Sequence, residues 1–290
     1  TLPTDGTVNE ALIAYHRARA KGGVGLIVTQ VAGVHETARY TSHLLMATDD
    51  ACIPGFRSLA AAVHAEGAVI VSQLFHPGRE IMESADGLLA VAWAPSVVPN
   101  ERFHVMPREL DAAMIAEIVA GYAASAARLA AAGFDGVEYV ASHGYLPAQF
   151  LNPRVNLRSD AWGQDRTKFL RDCLQAMRDA VPDNFIIGMR ISADERDEAG
   201  LQPDEVTASC LALEPLVDYL SVTFGTSATL GGAVHIAPPM AFAAGYLAQA
   251  AGQIKSAVRV PVFVAGRINQ PQVAEAILAA VLAGHRQFFF

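Results

Sequence analysis

Short apolar runs recur along the chain, and each is followed by a segment with helical periodicity. The runs are rich in Val, Ile and Phe and are bounded by Gly, Pro or Asp, a pattern typical of buried parallel strands. They predict six strands, at residues 24–29, 68–74, 134–140, 185–191, 217–223 and 261–265. Between them apolar residues recur every three to four positions, which predicts amphipathic helices. The clearest case is Ile115, Ile118, Val119, Tyr122, Ala126 and Leu129.

Strands that alternate with helices in this way imply a parallel sheet covered by helices. The spacing of roughly 40 residues predicts an α/β fold of the (β/α)8 barrel type, truncated at both ends because its first and last strands are missing. A doubly wound open sheet is the alternative. It would carry a Gly-rich dinucleotide loop after the first strand, and the sequence contains no G-x-G-x-x-G motif.

The length of 290 residues fits one large domain, 1–290. The irregular, Pro-bearing stretch at about 80–110 predicts an insertion within it. A hydrophobic content of 52% with only 17% charged residues argues against disorder. The net charge of −8, without any cluster of Lys or Arg, excludes an electrostatic nucleic-acid face.

Two further features bear on the compartment. No apolar run reaches the roughly 18 residues of a transmembrane helix, because Glu117 and Arg128 interrupt the Ala-rich segment 112–132. The three cysteines lie far apart without a C-x-x-C motif, at Cys52, Cys173 and Cys210. This sparse pattern predicts neither a zinc nor an iron–sulfur site and points to a reducing compartment, so a cytoplasmic protein is expected.

Polar residues stand where the predicted strands end. Gln73 can both donate and accept hydrogen bonds, and His143 and Tyr145 offer donors. Arg190 ends an apolar strand, where a cation without an anionic partner is costly. In a barrel the loops after the strands converge on one pocket, so we expect these side chains to meet.

Gly266 and Arg267 place a bare backbone N–H beside a guanidinium at the start of a helix, an arrangement suited to a phosphate. For each residue alone a structural explanation is open: Arg190 could pair with a core carboxylate such as Glu138, and Gly266 could be only a turn. Taken together, the strand-end residues indicate a phosphorylated planar cofactor.

A metal-dependent hydrolase would need clustered His, Asp and Glu residues at these strand ends. Only His76 and His143 are placed in this way, and no carboxylate pair accompanies them. No metal site is therefore predicted.

Four stretches of the chain share one pattern: residues 72–79, residues 143–153 with Asn156, Arg158 and Asp160, residues 189–192 and residues 265–268. In these stretches the sequence resembles the old yellow enzyme family of FMN-dependent NAD(P)H:flavin oxidoreductases, which are TIM barrels. The resemblance covers nearly the whole chain and is nearest to the branch of the dienoyl-CoA reductases and the amine dehydrogenases or N-demethylases.

The resemblance implies that the cofactor is FMN. Gln73 would bond the pyrimidine edge of the flavin, and Gly33 would approach the flavin through its backbone. Arg190 would stabilise negative charge near the N1–C2 carbonyl of the reduced flavin. Gly266 and Arg267 would hold the phosphate.

The resemblance also implies that His143 binds the oxygen of the substrate and that Tyr145 lies beside it. The family usually has a His-x-x-His or His-x-x-Asn pair here, but the first member is Val140 in this sequence. Loss of one donor would weaken polarisation of an enone carbonyl. An N-methyl amine or a bulky apolar substrate would suit Val140 at least as well.

The implied function is reduction of an activated alkene, with NADH or NADPH as the hydride donor. The alternatives are an oxidative N-demethylase or amine dehydrogenase on the same barrel, and an inactive truncated barrel. The expected partner is a small-molecule substrate, without nucleic acid or membrane, and a homo-oligomer is compatible with the sequence. Family members have a strand before the position of Thr1, and residues 288–290 do not resemble their last strand.

Overall fold

Strands and helices alternate along the chain in the computed structural model, which describes residues 5–41, 43–81, 91–282 and 288–289. Its elements in chain order are α1 (Glu10–Lys21), β1 (Leu26–Gly33), β2 (Leu45–Met46), α2 (Ile53–His64), β3 (Val69–Phe75), β4 (Trp93–Ala94), β5 (Arg108–Glu109), α3 (Ala112–Ala131), β6 (Gly136–Ala141), α4 (Leu146–Leu151), α5 (Ala161–Gln164), α6 (Lys168–Ala180), β7 (Ile186–Ser192), α7 (Pro203–Leu213), β8 (Tyr219–Thr223), α8 (Leu230–Ala233), α9 (Ala248–Ala257), β9 (Val262–Val264), α10 (Pro271–Leu282) and β10 (Phe288–Phe289).

One parallel sheet contains all six strands that the sequence predicts. Its order is β10-β9-β8-β7-β6-β3-β1-β2, and every neighbouring pair is parallel. The expectation that the last barrel strand is missing is corrected, because β10 pairs with Val262 and Phe263 of β9. A run of three Phe residues has no polar–apolar alternation, so its pattern did not predict a strand.

The register of the central strands brings residues from distant parts of the chain into two rows. The first row is Gln73, Glu138, Gly188 and Tyr219, and the second is Val140, Arg190 and Ser221. Residues two apart on a strand face the same side of a sheet, so both rows share one face.

Gly188 occupies the one position in the first row without a side chain. A Cβ at Gly188 would lie 2.1 Å from Cζ of Tyr219, which real side chains cannot tolerate. The absence of a side chain therefore lets the Tyr219 ring lie across β7 and reach β6.

The long helix α3 shows how helices cover the sheet. It is long and apolar enough to cross a membrane by length and composition alone. Of the apolar residues predicted from periodicity, however, all are buried except Val119, which is half-buried. This face of α3 packs against α6, β3 and β6 in the protein core.

The predicted insertion at 80–110 carries β4 and β5, which pair with each other and form a separate sheet. Residues 82–90 lie outside the described part. Where the insertion begins, the neighbouring residues Arg79 and Glu80 form a buried ion pair of 3.3 Å. Arg79 donates to two carbonyls of the insertion, at 2.9 and 3.1 Å, and Asn100 donates to Glu80 at 2.8 Å.

Candidate active site

A cavity of about 450 Å³ opens where β1, β3, β6, β7 and β8 end. It is lined by Val28, Thr29, Gln30, Val31, Gln73, Glu138, Val140, His143, Tyr145, Arg190 and Ser221. Four of the residues predicted from strand ends therefore meet around one space: Gln73, His143, Tyr145 and Arg190.

Glu138 organises one wall of the cavity. It is 1% exposed, and its two oxygens accept from Nε2 of Gln73 at 2.7 Å and from the hydroxyl of Tyr219 at 2.9 Å. Burial and the Glu138 carboxylate raise the pKa of Tyr219, so this phenol stays protonated and remains a donor. Because Nε2 of Gln73 points to Glu138, the amide oxygen of Gln73 is free for a ligand.

Arg190 carries a charge that no protein carboxylate neutralises within the described residues. Its Nη1 donates to Oγ of Ser221 at 3.1 Å, and the ion pairs of these residues do not include it. The alternative in which Arg190 pairs with Glu138 is thus not realised. An unpaired, half-buried cation on a cavity wall suits an anionic ligand.

His143 sits where β6 breaks, with a left-handed backbone of φ 61°. Its N–H donates to Oγ of Ser192 at 3.0 Å, and its carbonyl accepts from the N–H of Ser227 at 2.8 Å. The imidazole Nδ1 lies 3.3 Å from the carbonyl oxygen of Gly225. Burial, helped by the charge of Arg190, lowers the pKa of His143 to about 3, so the ring is neutral at ordinary pH.

Tyr145 precedes α4 and is held by aromatic and hydroxyl neighbours. Its ring packs edge-on against Phe75 and Tyr40, with centroid distances of 4.6 and 6.2 Å. Its hydroxyl hydrogen-bonds with Tyr40 and Ser227. Burial and then Tyr40 raise the pKa of Tyr145, so its phenol holds a proton throughout the neutral range.

Val140 faces the cavity from an apolar cluster. It is 2% exposed and packs with Leu44, Met46 and Phe75. The position where relatives of the resembled family carry a His thus presents methyl groups and no hydrogen-bond donor.

Three predicted residues lie outside the cavity lining. A Cβ on Gly33 would lie 2.7 Å from Sδ of Met46, so its close approach is to a side chain of the apolar cluster. Gly266 and Arg267 follow β9 with φ values of 142° and 55°, and Nε of Arg267 donates to the carbonyl of Phe242 at 3.3 Å. Their proposed contacts with flavin and phosphate remain predictions.

Behind the cavity two buried carboxyl groups flank Arg79. Burial raises the pKa of Glu80 and of Glu195 to about 7 in each case, although Arg79 opposes the shift. Oε2 of Glu195 accepts from the N–H of Leu201 at 2.8 Å, whereas Oε1 is buried without a hydrogen-bond partner. No pattern along the sequence predicts that these two carboxyl groups lie near Arg79.

In the described ranges, no group of three or more His, Cys, Asp or Glu residues is placed to hold a metal ion. His76 uses both ring nitrogens within the protein, with Thr37 at 2.9 Å and the N–H of Gly78 at 3.1 Å. The cavity residues instead fit the pyrimidine edge of a flavin, which needs an amide partner for its polar groups and a cation for its negative charge. Gln73 and Arg190 supply these two groups.

The parallel α/β sheet with a cavity at its strand ends is the architecture of a (β/α)8 barrel protein. A family model described as the NADH:flavin oxidoreductase / NADH oxidase family matches residues 2–283. The chain belongs to this family, whose cofactor is FMN, and the resemblance noted in the sequence is confirmed.

Three proteins illustrate this similarity. A metal reductase of Desulforamulus reducens is 40% identical over 94% of this chain and 41% of its own length. The solved structure of a 2-naphthoyl-CoA reductase complex has a TM-score of 0.88 at 28% identity, covering 98% of this chain and 45% of that one. Histamine dehydrogenase from Rhizobium sp. 4-9 has a TM-score of 0.85 at 26% identity, covering 100% and 42%. This chain thus spans less than half the length of each.

Proposed function

We propose that this chain is the flavin barrel of an NAD(P)H-linked oxidoreductase that reduces an activated alkene in the cytoplasm. The observation that carries the proposal is the convergence of Gln73, Arg190, His143 and Tyr145 on one cavity. A bound FMN supplies the hydride-transfer chemistry. The protein residues bind that cofactor, orient the substrate and provide the proton.

Gln73 and Arg190 bind the cofactor in different ways: Gln73 by a hydrogen bond and Arg190 by its charge. The hydrogen bond from Gln73 to Glu138 fixes the amide orientation, which leaves the amide oxygen for an N–H of the flavin. The permanent charge of Arg190 favours the anionic form of the reduced cofactor, because no carboxylate in the described residues competes for it.

Reduction of a C=C bond also requires a proton on the second carbon. Tyr145 can hold this proton on the cavity wall, since its raised pKa keeps the phenol protonated. Tyr145 donates its hydroxyl hydrogen to Tyr40, and a hydrogen bond from Ser227 to the same hydroxyl would support the oxygen when its proton leaves.

The proposal is tested by loading the purified protein with FMN and recording its absorbance. We expect a yellow protein that NADH or NADPH bleaches without oxygen and that a cyclic enone reoxidises. The variant Arg190→Met should bleach more slowly, whereas Glu198→Gln, at an exposed carboxylate, should match the parent protein. A protein that takes up no FMN would refute the proposal and favour the inactive barrel.

Oxidation of an N-methyl amine is the second candidate, and Val140 favours it. An apolar group beside His143 suits an N-methyl carbon, and the fold is close to that of histamine dehydrogenase. The two reactions differ in what bleaches the flavin. Anaerobic bleaching by an N-methyl amine without nicotinamide supports amine oxidation, whereas bleaching by NADH or NADPH alone supports alkene reduction.

A further inference from the structure

Arg102 of the insertion reaches the loop that follows β8. Its backbone N–H donates to the carbonyl of Ala228 at 3.1 Å, and its Nη1 donates to Oγ of Ser227 at 3.1 Å. The ion pairs among the described residues do not include its guanidinium. The charge of Arg102 is therefore directed at a neutral hydroxyl group, without a carboxylate of the described chain to offset it.

Ser227 connects Arg102 to the phenol of Tyr145. It is buried, and its N–H donates to the carbonyl of His143 at 2.8 Å, which fixes it beside the cavity. Because a guanidinium can only donate, Oγ of Ser227 accepts from Arg102 and keeps its own hydrogen for another partner. Burial raises the pKa of Tyr145, and the hydrogen bond from Ser227 acts against this rise. Ser227 thus donates to the phenol oxygen.

The second phenol, Tyr40, continues this chain of hydrogen bonds. Tyr145 donates to it, and the two ring centroids are 6.2 Å apart. Burial raises the pKa of Tyr40, whereas the hydrogen bond from Tyr145 and the charge of Arg102 act to lower it. Glu80 is the negative group near both phenols and acts to raise both pKa values. The donors are aligned in one direction, starting from a cation, and such donors polarise one another.

We propose that Arg102 is a positioning residue for the proton donor of the site, and that its charge, acting through Ser227, makes Tyr145 a stronger acid. During alkene reduction the O–H bond of Tyr145 breaks, and its proton forms the new C–H bond on the carbon that the hydride does not reach. The electron pair of the broken bond stays on the phenolate oxygen. Ser227 donates to that oxygen, the charge of Arg102 offsets its negative charge, and water then returns a proton to it.

This inference rests on the proposed function for the role of Tyr145, and it assigns the insertion a part in the reaction. A purely structural role for Arg102, in which it only fixes the insertion to the loop after β8, would affect stability but not the acidity of a phenol. Two variants separate these roles. Arg102→Gln can still donate to Ser227 but has no charge, whereas Arg102→Lys keeps the charge. Arg108→Gln, at an exposed position in β5 of the same insertion, is the control.

The acidity of the phenol can be measured without flavin and without turnover, by incorporating tetrafluorotyrosine in place of Tyr145. Fluorine makes the phenol more acidic, so that it titrates at a pH that the folded protein tolerates, and ¹⁹F spectra report on this residue alone. We expect Arg102→Gln to lower its acid dissociation constant about tenfold, because a nearby charge is lost. Arg102→Lys and Arg108→Gln should remain close to the parent protein. An unchanged constant in Arg102→Gln would overturn the proposal.

The variant Ser227→Ala tests the connection itself, and it replaces Arg102→Gln if that variant does not fold. It removes the donor to Tyr145 and leaves Arg102 in place, so the acid dissociation constant should again fall. Adding Arg102→Gln to Ser227→Ala should have little further effect, because the two residues act as one unit. An unchanged constant in Ser227→Ala, or equal and additive effects of the two substitutions, would contradict the route through Ser227.

In the FMN-loaded protein the two half-reactions give an independent measurement. Reoxidation by a cyclic enone needs the proton of Tyr145, so we expect Arg102→Gln to slow it by about threefold, since proton-transfer rates follow only part of a change in acidity. Bleaching by NADH or NADPH needs no such proton and should keep the parent rate. Equal slowing of both steps would indicate a structural effect and contradict the inference. A protein that takes up no FMN but shows the expected change in acidity would refute the proposed function alone.

Discussion

Arg190 donates a hydrogen bond of 3.1 Å to Ser221 on the neighbouring strand, and no carboxylate of the described residues neutralises its charge. The two residues are direct partners in the register of β7 and β8. The guanidinium is therefore held in place by a neutral group, and its charge remains for a ligand.

Replacement of this cation should change the redox behaviour of a bound flavin. We expect Arg190→Met to lower the reduction potential by on the order of tens of millivolts, because negative charge on the reduced cofactor loses its partner. Arg190→Lys keeps a positive charge, so its reduction potential should lie between those of the parent protein and Arg190→Met. Potentiometric titration of both variants checks this, and an unchanged potential in a flavin-loaded Arg190→Met protein would remove the role assigned to Arg190.

The two hydrogen bonds to Glu138 should contribute strongly to the free energy of unfolding, because both carboxylate oxygens are buried. In Glu138→Gln one of the donors, Gln73 or Tyr219, meets an amide N–H. We expect a loss of about 1–3 kcal/mol in the free energy of unfolding. The double variant Gln73→Glu/Glu138→Gln restores one donor–acceptor pair and should recover part of this loss in denaturant titrations. Equal stability of parent and Glu138→Gln would show that the network is not coupled.

Val140 tests whether a second donor limits enone reduction. By analogy with oxyanion donors, we expect Val140→His to raise turnover of a cyclic enone by about 100-fold, because a second donor would polarise the substrate carbonyl. It should lower turnover of an N-methyl amine, because a polar ring replaces buried methyl groups. Val140→Leu, which is larger but apolar, separates volume from hydrogen bonding. If the parent protein already reduces the enone rapidly and neither variant changes that rate, Val140 does not determine substrate choice.

Glu195 should make stability fall as pH rises. Burial raises its pKa from 4.5 to about 7 in the folded protein. The folded state then binds the proton more tightly, so the free energy of unfolding is highest below the unfolded pKa and decreases as pH rises through the folded one. One such group contributes about 3 kcal/mol to this decrease.

The variant Glu195→Gln should therefore flatten the stability profile between about pH 5 and about pH 8, measured by denaturant unfolding at each pH. Its amide oxygen can still accept from Leu201. Glu198→Gln removes an exposed carboxyl group instead and should leave the profile unchanged. A profile of Glu195→Gln that parallels the parent would show that Glu195 does not titrate as the structure indicates.

The strands and four of the site residues could be predicted because their signals are local. Each strand is a continuous apolar run, and Gln73, His143, Tyr145 and Arg190 stand where those runs end. Parallel strands place their carboxyl ends together, so position along the chain was sufficient to bring these residues to one edge.

The remaining features depend on register and local geometry, which the sequence does not display. The role of Glu138 as a double acceptor requires Gln73 and Tyr219 to lie in the same row. The close contact of Gly33 is with Met46 rather than with the cavity, since β2 pairs with the end of β1.

Gly188 touches no ligand, yet it constrains how far the cavity can be engineered. Even the methyl group of alanine would overlap the Tyr219 ring and displace its hydroxyl from Glu138, the carboxylate that also orients the Gln73 amide. A directed-evolution library restricted to cavity-lining positions would leave Gly188 unchanged, and its importance for the site would not be detected. A library that varied residue 188 would lose cofactor affinity, because any side chain introduced there would push Tyr219 away from Glu138.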